Sequence, residues 1–284
     1  MNAVEVRDLT WRYEHTTRPA LEGVNLDIVE REFVLVVGPN EAGKTTLVAA
    51  IKGIIPHSMS GILKGEVRVF GERVEDMKAP PLARQIGMVF ADPESQFTAL
   101  TVEEEIVFGL ENIGWPPAGI ERQVRWAAEV TDVADLLDKP PYDISGGQKQ
   151  RVAIASVIAM EPRILILDEP TSMIDPLGKD QVRDICAELK REREMTIIVV
   201  EHNIEAFAPL ADKVVVVNDG HVERVGPPAE LFAEIEYLAA RDLAPPQVTT
   251  LFERLRRPGR YVGELPLTDE AGIAAGRRLL EAAR

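Results

Sequence analysis

One short segment constrains this chain more than any other. Phe33-Val34-Leu35-Val36-Val37 is a continuous apolar run, and Gly38-Pro39-Asn40-Glu41-Ala42-Gly43-Lys44-Thr45-Thr46 follows it directly. An apolar run of that kind suits a strand buried on both faces of a parallel sheet. The segment after it fits G-x-x-x-x-G-K-[ST] and leads into a stretch with helical character from Thr45 to Gly53. Glycines let the backbone wrap closely, so that successive N–H groups point at phosphate oxygens. Lys44 adds a positive charge for the β- and γ-phosphates, and the Thr45 hydroxyl is a ligand for Mg²⁺. An ordinary glycine turn is the plainer alternative, but the strand before and the helix after are the context that phosphate binding requires.

Three further apolar runs, Ile164–Leu167, Thr196–Val200 and Val214–Val217, are separated by helical segments. Strands alternating with helices imply right-handed crossovers and a parallel sheet. The first thirty or so residues are different. Val4, Val6 and Leu9 begin a strand, and Val24-Asn25-Leu26-Asp27-Ile28 alternates as a half-exposed strand does. Between the first helix and Ile164 lie β-like pieces at Glu66–Phe70 and Ile86–Phe90. A largely helical stretch then runs from Val102 to Leu137, broken at Trp115-Pro116-Pro117. From Pro227 onward the tail carries its own helices. Thr268 is placed to cap the last, with Asp269 and Glu270 in its first turn.

Two other places carry chemistry. Ile164-Leu165-Ile166-Leu167 ends abruptly in Asp168-Glu169, at the carboxyl end of a strand, where α/β sheets bind ligands. Asp168 is expected to hold Mg²⁺ through water, and Glu169 to polarise the attacking water as general base. A strand ending in solvated charge is the bland alternative. Ser145-Gly146-Gly147-Gln148-Lys149-Gln150-Arg151 contains a capping box, Ser145 with Gln148, and that alone would account for it as a helix start. Its two glycines at a helix N-terminus also leave N–H groups open to an anion.

At this segment the chain resembles a known family. S-G-G-Q followed by a basic residue, Gln and Arg, and lying ahead of the Asp168-Glu169 strand end, resembles the signature sequence of ABC ATPases. The resemblance implies a P-loop NTPase (RecA-like) α/β fold. It would comprise a β-rich N-terminal part, an α-helical insertion at about 98–160, a nucleotide-binding domain over 1–226 and a small helical extension over 227–284. It implies ATP and Mg²⁺ as ligands. It also implies a head-to-tail dimer, in which Ser145, Gly146, Gly147 and Gln148 close over the γ-phosphate held by a partner subunit. Ser172-Met173-Ile174-Asp175 resembles the D-loop that crosses to the partner. His202 looks like the switch histidine that contacts the γ-phosphate, and Tyr13 like the aromatic that stacks on adenine, though a single Tyr after a strand equally suits packing.

Gly53-Ile54-Ile55-Pro56-His57, Val89-Phe90-Ala91-Asp92-Pro93-Glu94-Ser95-Gln96-Phe97, Asp242-Leu243-Ala244-Pro245-Pro246 and Pro266-Leu267-Thr268 narrow the resemblance to the ATPases of energy-coupling factor importers. Those systems take up vitamins or cobalt and nickel ions. The implied partners are a second ATPase subunit, identical or not, and transmembrane subunits. A groove near Ala91–Glu111 would grip their coupling helix. The tail is a candidate dimerisation element through apolar helical positions such as Leu251, Phe252 and Leu255, or it packs on the core. Glu103-Glu104-Glu105 either meets basic residues of that coupling helix or is a solvated helix start.

The sequence departs from the family at three places. Ala91 stands where a glutamine that reaches Mg²⁺ is usual, and Gln96 is five residues further along the loop. Glu41 replaces a common glycine and sets a carboxylate beside the phosphates. Met173 and Ile174 replace the commoner Gly-Leu. These changes raise the expectation of an asymmetric pair, in which the site on this chain's own Lys44 turns over slowly.

Charge and composition exclude other classes. A formal net charge of -15 disfavours nucleic-acid binding and adhesion to anionic lipid. The single Cys186 excludes an internal disulfide and a cysteine metal cluster. No run approaches the roughly 18 apolar residues of a membrane span, and the start MNAVEVRDLTW lacks the features of a signal peptide. The expected location is cytoplasmic, peripheral on the inner face of the membrane. The alternative is a soluble ABC-type ATPase of DNA repair or translation. The spelling G-P-N-E-A-G-K does occur in repair ATPases, though the short acidic insertion here leaves no room for their long coiled coil.

Overall fold

The structure is a computed structural model, and it describes residues 1–172 and 174–282. Strands β1 (Asn2–Tyr13) and β2 (Leu21–Val29) pair antiparallel, and β3 (Phe33–Val37) leads into helix α1 (Lys44–Lys52). A short turn α2 (Ile54–His57) leads to β4 (Gly61–Val69) and β5 (Glu72–Arg73). These complete a four-stranded antiparallel sheet in the order β2-β1-β4-β5. Helix α3 (Ala79–Gln85) returns the chain to β6 (Ile86–Val89).

Helices α4 (Val102–Asn112), α5 (Pro117–Val130) and α6 (Gly146–Ile158) form the helical part, and the expected break at Trp115-Pro116-Pro117 separates α4 from α5. Then come β7 (Ile164–Asp168), α7 (Pro176–Arg193), β8 (Thr196–Val200), β9 (Lys213–Asn218) and β10 (His221–Gly226). The second sheet has six strands in the order β10-β9-β3-β8-β7-β6, parallel except for β10.

The uninterrupted apolar runs build this sheet because strand side chains alternate faces. Phe33, Leu35, Leu165, Leu167, Ile197, Val199, Val214 and Val216 enter one core cluster, shared with α4 to α7. Val34, Val36, Ile164, Ile166, Ile198, Val200, Val215 and Val217 enter another, shared with α1 and the antiparallel sheet. A sheet covered on both faces leaves only its strand ends to offer polar groups, and the carboxyl ends of β3, β6, β7 and β8 lie together.

The tail consists of α8 (Pro228–Leu231), α9 (Ile235–Ala239), α10 (Gln247–Arg256) and α11 (Asp269–Ala282). Its first part packs on the core, since Leu231, Phe232, Leu238 and Leu243 belong to the cluster shared with β3. Glu223 fastens it there, taking bonds from Arg241 at 2.6 Å, Tyr237 at 2.7 Å and Asn218 at 2.8 Å. The second part builds a small cluster of its own around Phe252, Tyr261, Leu265 and Ala275. Thr268 caps α11, its hydroxyl accepting from Ala271 N at 3.1 Å. Among the described residues no helix is long and apolar enough to cross a membrane.

Candidate nucleotide site

The loop between β3 and α1 is shaped by two glycines that tolerate no side chain. A Cβ on Gly38 would lie 2.0 Å from the Val217 carbonyl oxygen, and one on Gly43, where φ is +102°, would lie 2.6 Å from that of Ala20. Ala42 is buried beneath the loop, Pro39 is half-buried, and Asn40 and Glu41 are exposed. Glu41 has φ +61°, the left-handed region where glycine costs nothing. Its side chain is exposed, and the departure from glycine is met as backbone strain.

Helix α1 begins at Gly43 with no side-chain cap, which leaves its first N–H groups free for an external acceptor. Lys44 is 4 % exposed, and its ammonium donates to the carbonyls of Gly38 at 3.0 Å and Pro39 at 2.8 Å. Burial lowers its pKa, against the charges of Glu169, Asp168 and Glu201, which raise it.

The other predicted groups converge on Lys44. His202 Nε2 lies 3.3 Å from its Nζ and 3.2 Å from Glu169 Oε1. Burial is the main reason that the His202 pKa falls below its ordinary value, and the Lys44 charge adds to it. Asp168 is 3 % exposed and accepts from the Thr45 hydroxyl at 3.3 Å. Burial raises its pKa most, with the Glu169 charge adding to that. A buried carboxylate oxygen beside a hydroxyl oxygen suits a hard cation that completes its shell with water and substrate phosphate. Among the described residues no cluster of three or more His, Cys, Asp or Glu side chains forms a site that could hold a metal on its own. Thr46 is buried, and its hydroxyl lies 3.0 Å from the Tyr13 hydroxyl. That contact sets the half-buried Tyr13 ring at the side of the phosphate loop.

Ser145, Gly146, Gly147 and Gln148 lie apart from this cluster. The box expected from sequence is complete: Gln148 N donates to Ser145 Oγ at 3.3 Å, and Ser145 N to Gln148 Oε1 at 2.9 Å. Ser145 and Gly146 are nevertheless exposed. Gly147 sits beside Gly178 at the start of α7. There Asp175 accepts from Gly178 N at 2.7 Å. Met173, part of the D-loop resemblance, lies outside the described residues.

Gln96 stands further along the loop, in the turn over 93–96, and its side chain folds back to accept from Phe90 N at 3.4 Å. One reading of the β6–α4 loop needs revision. The acidic triplet is not one exposed patch. Glu104 completes a capping box with Thr101. Glu105 is buried and accepts from Thr98 N at 2.8 Å and Ala99 N at 2.9 Å. Glu103 and Glu104 remain exposed, but only Glu103 is free of the loop's own backbone.

Sequence reasoning missed Glu201, which is 3 % exposed at the end of β8. The available signal was an acid closing an apolar run next to His202, as Asp168 and Glu169 close theirs. It also missed the ion pair of Lys149 with Glu94 at 2.6 Å, which joins the β6–α4 loop to α6.

Residues 21–172 match the ABC transporter family. The chain is 40% identical to a putative ABC transporter ATP-binding protein of Caldanaerobacter subterraneus over 96% of its own length, but spans only 48%, about half, of that relative. It is 39% identical to the energy-coupling factor transporter ATP-binding protein EcfA1 of Bacillus subtilis, covering 94% of this chain and 93% of the relative. Among solved structures, cbiO1 of Clostridium perfringens, described as part of the ABC transporter complex cbiONQ, superposes with a TM-score of 0.74 at 32% identity, covering 90% of this chain and 99% of that one. A dimeric ATP-binding cassette in a post-hydrolysis state, bound to ADP and Pi, gives a TM-score of 0.70 at 26% identity, covering 79% and 98%.

Proposed function

The chain belongs to the ABC transporter family as an ATP-hydrolysing cassette of the energy-coupling factor kind, and we propose that it works as one half of an ATPase pair that drives uptake of a vitamin or a transition-metal ion. The observation that carries this is the meeting of Lys44, Asp168, Glu169 and His202 at the carboxyl ends of the parallel strands, beside a helix start with no cap of its own.

In this reading the N–H groups of residues 38–46 and the Lys44 ammonium bind the triphosphate, and Tyr13 stacks on the adenine. Thr45, and Asp168 through water, would hold Mg²⁺, which would supply positive charge against the phosphate. Glu169 takes the proton of the attacking water, and His202 donates to the γ-phosphate and keeps Glu169 aligned. Within one chain Ser145 to Gln148 make no bond to Lys44 or its neighbours, so they serve the triphosphate of a partner, a role open to them because similar cassettes are dimeric. The half-buried Ala91 cannot ligate metal, which supports slower turnover at the site on this chain's own Lys44, whether the partner ATPase is identical or not.

Residues 1–226 act as the nucleotide-binding domain. The 227–284 extension contributes to pairing through the exposed Leu251 and Ile273. Exposed Phe90, Leu100 and Phe108 line the surface offered to transmembrane subunits, with the protein peripheral on the inner face of the membrane.

The test compares the wild-type chain with Glu169→Gln. Wild type should bind and hydrolyse Mg-ATP. Glu169→Gln should bind it as tightly, lose at least a hundredfold in turnover, and accumulate as an ATP-bound dimer in size-exclusion chromatography. Failure to bind nucleotide, or unimpaired turnover in the variant, would overturn the reading.

A further inference from the structure

Glu201 is a carboxylate that the proposed chemistry does not use, yet it is buried within the machinery. One of its oxygens accepts from Thr171 N at 3.0 Å and Thr171 Oγ1 at 2.6 Å. The other accepts from His202 N at 3.1 Å and Asn203 N at 3.4 Å. Thr171 is 1 % exposed and follows Glu169 by two residues. One side chain therefore spans the turn after β7 and the loop after β8. The first presents Glu169 and the second presents His202.

The turn needs such a holder. Glu169 has φ +48°, which a non-glycine residue adopts only where its surroundings over-determine it. On one side Glu169 N donates to Val200 O at 2.8 Å, and on the other Ser172 N and Oγ donate to Glu169 O at 3.2 and 3.0 Å. Besides the contact of His202 with Glu169 itself, the Thr171–Glu201 pair links this turn to the switch loop. Burial raises the Glu201 pKa, against the bonds from Thr171, Asn203 and His202 that favour the charged form. A buried carboxylate with four donors is expensive to place and satisfied only while both loops stay where they are.

We propose that Glu201 is a positioning residue for hydrolysis: it clamps the turn bearing Glu169 to the loop bearing His202 and so fixes their separation. The proposal rests on the ATPase reading above. It makes a specific claim about which step suffers. The Glu201 side chain gives the phosphate loop no hydrogen bond and reaches Lys44 only through its charge, so ground-state nucleotide binding does not depend on the bonds of this clamp. Alignment of general base and switch histidine does.

The full-length chain is assayed for Mg-ATP affinity with a fluorescent nucleotide and for kcat at saturating ATP. Wild type and Glu169→Gln are run first, and their binding and turnover judge the ATPase reading independently of Glu201. Glu201→Gln keeps one acceptor oxygen but turns an amide toward His202 N and Asn203 N. It should lose tenfold or more in kcat with Kd within twofold of wild type. Thr171→Val removes one bond at nearly constant shape, and protects the test if Glu201→Gln folds poorly. It should lose three- to fivefold in kcat, again without change in Kd. The double variant should be no worse than about twofold below Glu201→Gln, because both act through the same clamp. A kcat within twofold of wild type in both single variants, a parallel loss of Kd and kcat, or independent multiplying effects would each overturn the proposal.

Discussion

Two helix starts are expected to meet phosphate here, and they are built in opposite ways. Helix α1 opens at Gly43 with no side-chain acceptor, while α6 opens at Ser145 with a complete capping box. A helix start lacking its own cap leaves donors that something else must satisfy, and at α1 the nearby Lys44 and Asp168 define what. The start of α6 satisfies part of its need internally and shows no deficit that would betray a ligand. An unsatisfied structure announces its function, whereas a self-sufficient one conceals it.

The largest effect should come from the bare start. Lys44→Ala removes the one ammonium placed to follow the phosphates, a charge-assisted contact of about 2–3 kcal/mol. Nucleotide Kd, measured by titration, should weaken roughly 30- to 150-fold, with hydrolysis undetectable. Because the same ammonium bonds the carbonyls of Gly38 and Pro39, melting without nucleotide should also change. Nucleotide binding as tight as wild type would break the claim that α1 depends on an outside partner.

The capped start is probed by separating its two duties. Ser145→Ala loses the cap, about 1 kcal/mol, and should lower Tm by roughly 2 °C. Ser145→Asp caps as well as serine does and suits the helix dipole, so Tm should hold. Its charge would repel a partner's γ-phosphate, so ATP-dependent dimerisation and turnover should fall about tenfold, read by light scattering and phosphate release. Should Ser145→Asp pair and hydrolyse normally, α6 would be a capped helix and nothing more.

The same contrast explains what the sequence made legible. The sheet could be read from its apolar runs because each buries alternate residues on opposite faces, as Val34 and Leu35 do. Lys44, Asp168 and Glu169 could be read because a fixed spacing places them at strand ends. Ser145 needed the family resemblance, since its capping box is locally sufficient. Glu201 and Glu105 were missed for a different reason. Their work is to accept backbone donors from loops distant or irregular in sequence, Thr171 for one and Thr98 with Ala99 for the other. No periodicity encodes a bond across 30 positions.

The smallest effect sharpens the contrast within the bare start itself. The phosphate loop binds through its backbone, so its cost is conformational, and Glu41 at φ +61° carries part of it. A side chain in that region is disfavoured by about 1–2 kcal/mol, while glycine in its place loses about 0.5–1 kcal/mol more chain entropy on folding. Glu41→Gly should therefore gain only about 0.5–1 kcal/mol, visible as a Tm rise of roughly 1–2 °C. Removing an exposed carboxylate from the mouth of a polyphosphate site adds a second, screened term. Mg-ATP Kd should tighten about two- to threefold at low salt and less at high salt. The salt series separates the terms: a gain in Kd that persists unchanged at high ionic strength belongs to relieved backbone strain, and one that vanishes belongs to charge. A loss of stability on introducing glycine would mean that the loop holds Glu41 by contacts that outweigh its strain, and α1 would then be less bare than its missing cap implies.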